Sequence, residues 1–353
     1  MNALHAEMTR PLADLQDQPM PAHLLPISRR RFLAASSASV ATLGHTRLSG
    51  DESTANPDSW ALLSDTHLLS AASIQQHYAA DKVARERRAT VVSKNFDLAA
   101  AQVKAMPERP AGMILNGDCV HVGGEDEYNQ LASKFALFGE TPIHVTMGNH
   151  DHRDDFFDAF RNQRNDAGVL LMKRHVSALK SRHANFVLLD SLTMQAPNRP
   201  VKGPGLLGGE QLEWFESVLD AESDKPTIVI FHHNIDPSED YQKRSGAKEL
   251  IVESASQFKG LGGGLEDSDR LLDLLQTKPH VKAVVTGHMH QFRIFKWRKV
   301  HFISLPSVGY TFDVKEPVGW IQLQLQEGGA ALELRTLDTK HARHRTRVKL
   351  NWS

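Results

Sequence analysis

Five short β-branched or aliphatic runs in this chain each end in side chains able to hold a metal ion, and no other feature of the sequence constrains the fold as much. Trp60–Leu63 is followed by Ser64-Asp65-Thr66-His67, and Met113–Leu115 by Asn116-Gly117-Asp118. Ile143–Met147 leads into Gly148-Asn149-His150-Asp151, Thr227–Phe231 into His232-His233, and Val281–Val285 into Thr286-Gly287-His288-Met289-His290. Runs of this length and composition predict buried strands. Open α/β sheets bind ligands beyond the carboxyl ends of their strands, so groups remote in sequence can converge there. Asp65 and His67, like His288 and His290, are two apart, which in extended backbone directs both members of a pair to one side. Gly117, Gly148 and Gly287 each stand just before one of these residues, where a tight turn or a close backbone approach needs a missing side chain.

The remaining pattern frames these blocks. Phe186–Leu189, His301–Leu305 and Val318–Leu325 also predict strands, while Val83–Met106, Glu127–Phe138 and Glu210–Leu219 predict helices. In the last of these, Leu212, Phe215, Val218 and Leu219 share one face at helical spacing. Strand and helix alternate over the first two thirds, then strand follows strand, which predicts a mixed sheet or two packed sheets with helices outside. Stretches rich in Pro and Gly at Ala196–Gly209 and Gly260–Gly264 predict loops, because recognisable elements resume directly after each. One domain is expected from residue 57 to residue 338, and the basic, polar stretch Lys340–Lys349 predicts a solvated tail over 339–353.

Composition narrows the chemistry. The chain has 353 residues, 41 basic against 42 acidic, so it carries no overall basic field for nucleic acid or an anionic membrane. A single cysteine excludes an intrachain disulfide and any thiolate-built metal cluster. The 19 histidines fit either metal and acid–base chemistry or scattered surface imidazoles. Carboxylate, imidazole and amide oxygen without thiolate favour ions such as zinc, manganese, iron or cobalt. Seven candidates among the residues of the five blocks exceed what one ion needs, and two ions sharing a carboxylate would use them. Such a pair suits an anionic phosphoryl group.

Taken together, in this order and each behind a strand, the blocks resemble the calcineurin-like metallophosphoesterase family. Its pattern is Asp-x-His, Gly-Asp, Gly-Asn-His-Asp/Glu, a separate His and Gly-His-x-His, and the resemblance spans about Trp60 to Pro306. It implies an α/β fold in which two packed mixed β-sheets are flanked by helices, a four-layer α/β/β/α sandwich. It also implies that Asp65, His67 and His290 bind a first metal, that Asp118 bridges, and that Asn149, His232 and His288 bind a second. His232 is preferred to His233 because the family's ligand lies immediately after the strand. A bridging hydroxide would attack phosphorus in line, His150 would stabilise the transition state or protonate the leaving oxygen, and Asp151 would orient His150.

Several neighbours of these blocks stay open. His233 reads as a group behind the ligands, a substrate contact or a surface loop residue, and His152 and Arg153 as phosphate contacts or solvated side chains. Cys119 reads as a small buried apolar residue. His121 stands where purple acid phosphatases carry a metal-binding tyrosine, which argues against that subgroup. No Arg follows Gly117-Asp118 closely, which argues against a phosphoprotein phosphatase. Gly117–Tyr128, the Gly-Asn-His-Asp-His-Arg string, the His pair and Gly208–Leu219 look most like the bacterial cyclic-nucleotide and glycerophosphodiester phosphodiesterases. Members of that branch commonly show prolines after the His pair, where this chain has Asn234-Ile235-Asp236-Pro237. A small-molecule phosphoester is therefore the expected substrate. The alternatives are a phosphomonoesterase, or a non-catalytic metal- or phosphate-binding protein, for which His150 has no evident use.

The N-terminus carries a separate signal. Ser28-Arg29-Arg30-Arg31-Phe32-Leu33 precedes a small-residue run, Ala34 to Gly44, in the layout of a secretory leader. The string resembles the bacterial twin-arginine signal, read by a receptor that exports folded proteins. Residues 1–50 are accordingly expected to be leader and linker, with the export machinery as a partner and a periplasmic or extracellular location. A start at Met20 would give the more compact charged region. No stretch has the roughly 18 consecutive apolar residues of a spanning helix, so no stable membrane span is expected in the mature protein.

Overall fold

The computed structural model describes residues 55–160, 170–171, 174–195, 199–200, 203–247 and 263–353. The leader therefore lies outside the described residues, as do parts of both predicted loops. No helix among the described residues is long and apolar enough to cross a membrane.

The first sheet has six strands. Its parallel half is β1 (Ala55–Leu63), β2 (Arg109–Asn116) and β3 (Ile143–Thr146), linked by helices α1 (Ala71–His77), α2 (Lys82–Lys104) and α3 (Glu125–Phe135). Helix α4 (Arg153–Ala159) follows β3. The second sheet, also of six strands, contains β4 (Ser177–Lys180), β5 (Asn185–Leu188), β6 (Thr227–Ile230), β7 (Val281–Thr286), β8 (Arg293–Trp297) and β9 (Val300–Ser304). Its core β5-β6-β7-β9 is parallel, and β4 and β8 close the edges antiparallel. Helices α5 (Gly209–Ala221), α6 (Glu239–Ser245) and α7 (Ser268–Thr277) belong to this half. The chain then returns to the first sheet, where β10 (Gly319–Gln326), β11 (Gly329–Thr336) and β12 (Arg347–Asn351) add antiparallel beside β1.

The alternation of side chains along β1 builds the layers. Trp60 and Leu62 face the second sheet, packing in one cluster with Phe186, Leu188, Ile230 and Val285, while Ala61 and Leu63 face α2 and α3 through Phe96, Leu131 and Phe135. On the far side of the second sheet, Val187, Val229 and Val284 receive Leu212, Phe215 and Leu219 of α5 and Leu271, Leu272 and Leu275 of α7. The result is the expected four-layer α/β/β/α sandwich of two mixed sheets. Gly112 on β2 lies under the Trp60 ring, where even a Cβ would collide with the indole.

The C-terminus departs from expectation. Residues 339–353 are not a solvated tail: Arg347–Asn351 pairs with β11, and Leu350 and Trp352 enter the cluster between the sheets. Alternation is the reason. The basic residues Arg347 and Lys349 sit on the exposed face of an edge strand, while Leu350 turns inward, so charge on one face conceals a strand. Replacing Trp352 by Ala should cost about 3 kcal/mol through lost burial and an unfilled cavity. Thermal and urea unfolding read this directly, and an unchanged midpoint would contradict the role of this strand in the core.

Candidate metal centre

Every strand-end block lies at the carboxyl ends of the parallel strands, and the two sheets meet there. From the first sheet come Asp65 and His67 after β1, Asp118 after β2 and Asn149 after β3; from the second come His232 after β6 and His288 and His290 after β7. All seven are buried. Asp118 is central: its Oδ2 lies 3.5 Å from His67 Nε2 and 3.3 Å from His232 Nε2. Its other oxygen, Oδ1, accepts the backbone N–H of His150 at 2.9 Å. On one side, Asp65, His67 and His290 bring their ligand atoms within 4.8 Å of one another, and on the other Asp118, His232 and His288 do the same. His290 Nε2 stands 3.2 Å from Asp65 Oδ1 and 3.1 Å from His67 Nε2.

The backbone that delivers these groups is not extended. Asp65, His67, Asp118, His288 and His290 have φ of 53, 45, 46, 67 and 52°. The side chains of each Asp-x-His and His-x-His pair therefore converge through left-handed turns rather than through strand alternation. Left-handed backbone is sparsely populated by residues with a Cβ, and such strain concentrates at functional sites. The glycines act by close approach: Cβ atoms at Gly148 and Gly287 would run into the Asp118 carboxyl and Ser64 Oγ respectively, and Gly117 lies against the His232 ring.

A set of backbone carbonyls fixes which imidazole nitrogen faces the centre. His232 Nδ1 donates to the Asn116 carbonyl at 3.0 Å and His290 Nδ1 to that of Tyr310 at 2.7 Å, leaving each Nε2 turned inward. Asp65 accepts from Ser64 Oγ at 2.5 Å and from the His288 backbone N–H at 3.2 Å. Asn116 also spans the sheets, accepting from Thr146 Oγ1 at 2.7 Å and donating to the Phe231 carbonyl at 3.0 Å. Sequence reasoning missed Ser64, Asn116 and Tyr310. A polar residue directly before Gly117-Asp118 was a usable signal for Asn116; a backbone carbonyl such as that of Tyr310 leaves none.

Electrostatics point to a cation between the carboxylates. Burial pushes the Asp118 carboxyl up, but the facing imidazoles of His232, His150 and His67 outweigh it and hold it well below the usual range. Asp65 is lowered likewise, burial being outweighed by His290 and His232. Burial works against charge on His232 too, yet the Asp118 and Asp65 carboxylates raise it to about 10. His67 and His288 go the other way: burial first, and neighbouring imidazoles next, drive His67 well below the ordinary value and His288 to about 4. Neutral imidazoles beside ionised carboxylates are what metal ligation requires. The buried Asn149 Oδ1 has no hydrogen-bond partner. An orphaned acceptor of this kind fits a cation that the donor set would complete.

Two residues take roles other than those expected. Asp151 does not orient His150. Its carboxylate accepts from the backbone N–H groups of Gly148 at 2.9 Å and Cys119 at 3.1 Å and from the Tyr128 hydroxyl at 3.2 Å, tying the loops after β2 and β3 together. His150 is instead held by the His121 carbonyl, which accepts from its Nδ1 at 2.7 Å. Arg153 is neither a phosphate contact nor solvated: it forms a buried two-pronged pair with Asp190 at 2.6 and 2.8 Å. His152 caps α4 and lies 3.0 Å from Asp155. His233 stands behind the ligands, its Nδ1 2.8 Å from Ser191 Oγ and its ring 4.9 Å from that of His288. Cys119 is buried among apolar side chains, as expected.

The family model for calcineurin-like phosphoesterases matches residues 60–292, and the chain belongs to that family: it is a metal-dependent phosphoester hydrolase. Among curated relatives, it is 26% identical over 226 residues to a 3',5'-cyclic adenosine monophosphate phosphodiesterase, CpdA, of Escherichia coli, covering 62% of this chain and 70% of that one. It is 34% identical over 154 residues to a probable cyclic nucleotide phosphodiesterase of Rhodopseudomonas palustris, covering 43% and 53%. A glycerophosphodiester phosphodiesterase, GpdQ, of Enterobacter lignolyticus is 25% identical over 207 residues, covering 59% and 66%. Among solved structures, a dimetal phosphatase from Danio rerio superposes with a TM-score of 0.57 at 12% identity, over 84% of this chain and 99% of that one. That likeness bears on the fold.

The Arg153–Asp190 pair makes a stability prediction. Burial raises the Asp190 carboxyl, but Arg153 outweighs it and the folded-state value lies below normal. A depressed carboxylate contributes stability above its unfolded value, about 3.9, and loses it as pH falls through the lower folded value. Asp190→Asn, which leaves Arg153 buried and unpaired, should lose about 3–5 kcal/mol at neutral pH. Urea unfolding as a function of pH should show the gap from wild type closing below about pH 4. A gap that stays constant into acid would contradict this role.

Proposed function

We propose that this chain is a dinuclear phosphodiesterase of small phosphoesters that works outside the cytoplasmic membrane. The observation that carries the reading is the position of Asp118 Oδ2 between two imidazole sets, within 3.5 Å of His67 and 3.3 Å of His232. Asp65, His67 and His290 would hold one ion, Asn149, His232 and His288 the other, and Asp118 both. Bound there, two divalent or trivalent ions such as manganese, iron, zinc or cobalt supply Lewis-acid stabilisation of phosphoryl charge and acidify water.

The chain's own residues supply the rest. With Nδ1–H of His150 committed to the His121 carbonyl, proton exchange falls to Nε2, and a half-buried imidazole at the rim suits protonation of a leaving alkoxide. Asp151 and Tyr128 keep that rim in register by joining the loops that carry Asp118 and His150. Preference for diesters is supported by the relatives, whose names are those of cyclic-nucleotide and glycerophosphodiester phosphodiesterases. Export is supported by Ser28-Arg29-Arg30-Arg31-Phe32-Leu33 and the small-residue run after it, which would make the twin-arginine machinery a partner. The near balance of charge gives no support to a nucleic-acid substrate.

Manganese-loaded protein should hydrolyse bis(p-nitrophenyl) phosphate. On a diester with an alkyl leaving group, such as a glycerophosphodiester, His150→Ala should lower kcat by about 10²–10⁴-fold while elemental analysis finds its metal content unchanged. No hydrolysis by the loaded wild type, or undiminished turnover in the variant, would overturn the reading.

A further inference from the structure

A basic, aromatic rim borders the histidines on the Asp65 side of the centre. Arg85 and Arg88 lie three residues apart on α2 and so share a face. Arg85 Cζ stands 4.2 Å from the centre of the Tyr78 ring, and Arg88 Cζ stands 4.7 Å from that of Tyr310. The Tyr310 ring is 5.0 Å from the His67 ring and 4.8 Å from the His290 ring, so one aromatic ring separates Arg88 from the candidate ligands. Arg85 is nearer still, its Nη1 3.5 Å from Nε2 of His121, whose Nδ1 is 3.4 Å from His67 Nδ1.

This rim includes a third group of clustered imidazoles, His67, His121 and His150, with ligand atoms within 4.8 Å of one another. A fixed guanidinium at the outer nitrogen of His121 opposes a further cation there, because an arginine keeps its charge at any working pH. It favours an anion instead. Among the described residues the one carboxylate near Arg85 is that of Asp81, at 3.9 Å, and Arg88 has no carboxylate partner. Stacking on tyrosine holds both forks while leaving most of their N–H donors open, Arg85 turning one toward His121 at 3.5 Å, a geometry preorganised for phosphate.

We infer that Arg85 and Arg88, held by Tyr78 and Tyr310, bind a second anionic group of the substrate, so that the enzyme prefers phosphoesters bearing a further phosphate. The inference rests on the proposed hydrolysis of phosphoesters at the centre and names the substrate class within it. Neutral substituents would leave Arg88 without a charged partner among the described residues, whereas a phosphate would receive charge-assisted hydrogen bonds from either guanidinium.

The test compares two esters with the same leaving group: thymidine 5′-(p-nitrophenyl phosphate), and the same compound carrying a 3′-phosphate. Wild type should favour the 3′-phosphorylated ester by about tenfold or more in kcat/KM. In the Arg85→Ala/Arg88→Ala protein that ratio should fall to near one, and Arg88→Lys should keep part of it. Melting curves and metal content verify that the variants are folded and loaded. A wild type without the preference, or a double variant that retains it, would overturn the inference while leaving the hydrolytic reading intact. Should neither ester be cleaved, hydrolysis of bis(p-nitrophenyl) phosphate decides the hydrolytic reading, and calorimetric titration decides the inference separately. Tighter binding of thymidine 3′,5′-bisphosphate than of the 5′-monophosphate, lost in the double variant, supports it; equal binding overturns it.

Discussion

A single buried carboxylate, Asp118, joins the two halves of this molecule. Its Oδ2 faces His67 of the first sheet at 3.5 Å and His232 of the second at 3.3 Å, and its Oδ1 is fixed by the backbone of His150. An isolated carboxylate in such a place would be costly, and the surroundings are arranged to offset that cost. Imidazoles converge from three further loops, and the carbonyls of Asn116 and Tyr310 turn each Nε2 toward the acids. The same arrangement explains why His67 and His288 are held neutral while His232 is pulled to about 10: the pocket places positive charge between its two acids.

Much of the rest of the fold serves to bring that carboxylate and its partners together. Parallel strands put loop after loop at one end of each sheet, and the apolar layer between the sheets, from Trp60 to Trp352, fixes how the two ends meet. Arg153 and Asp190, buried as a pair, clamp the start of α4 to the end of β5, and Asp151 stitches the loop of Asp118 to that of His150. Charges spent in this way cannot touch substrate. Recognition is left to groups at the rim, where Arg85, paired loosely with Asp81 at 3.9 Å, and Arg88, with no carboxylate partner among the described residues, differ in kind from the neutralised interior.

The sequence made the architecture legible because burial wrote it plainly. All eight predicted strand runs are strands, and the three predicted helices are helices with ends moved by a few residues. The ligand blocks were legible because each is a short string with unusual side chains behind a strand. Three kinds of information were hidden. Edge strands such as β8 and β12 mix basic with apolar residues, so their charge masks their pairing. The left-handed backbone at Asp65, His67, Asp118, His288 and His290 is uncommon even for Asp and His, and tertiary contacts impose it. Partners chosen through space are invisible in one dimension: nothing in the neighbouring residues shows that Asp151 serves backbone amides, that Arg153 meets Asp190, or that the His121 carbonyl holds His150.

Anomalous diffraction from manganese-loaded crystals tests the bridging role of Asp118 most directly. The account predicts two peaks flanking Asp118, about 3.5–4 Å apart as in other paired-metal sites, one beside Asp65, His67 and His290 and the other beside Asn149, His232 and His288. A single peak at full loading, or two peaks that do not share Asp118, would contradict it.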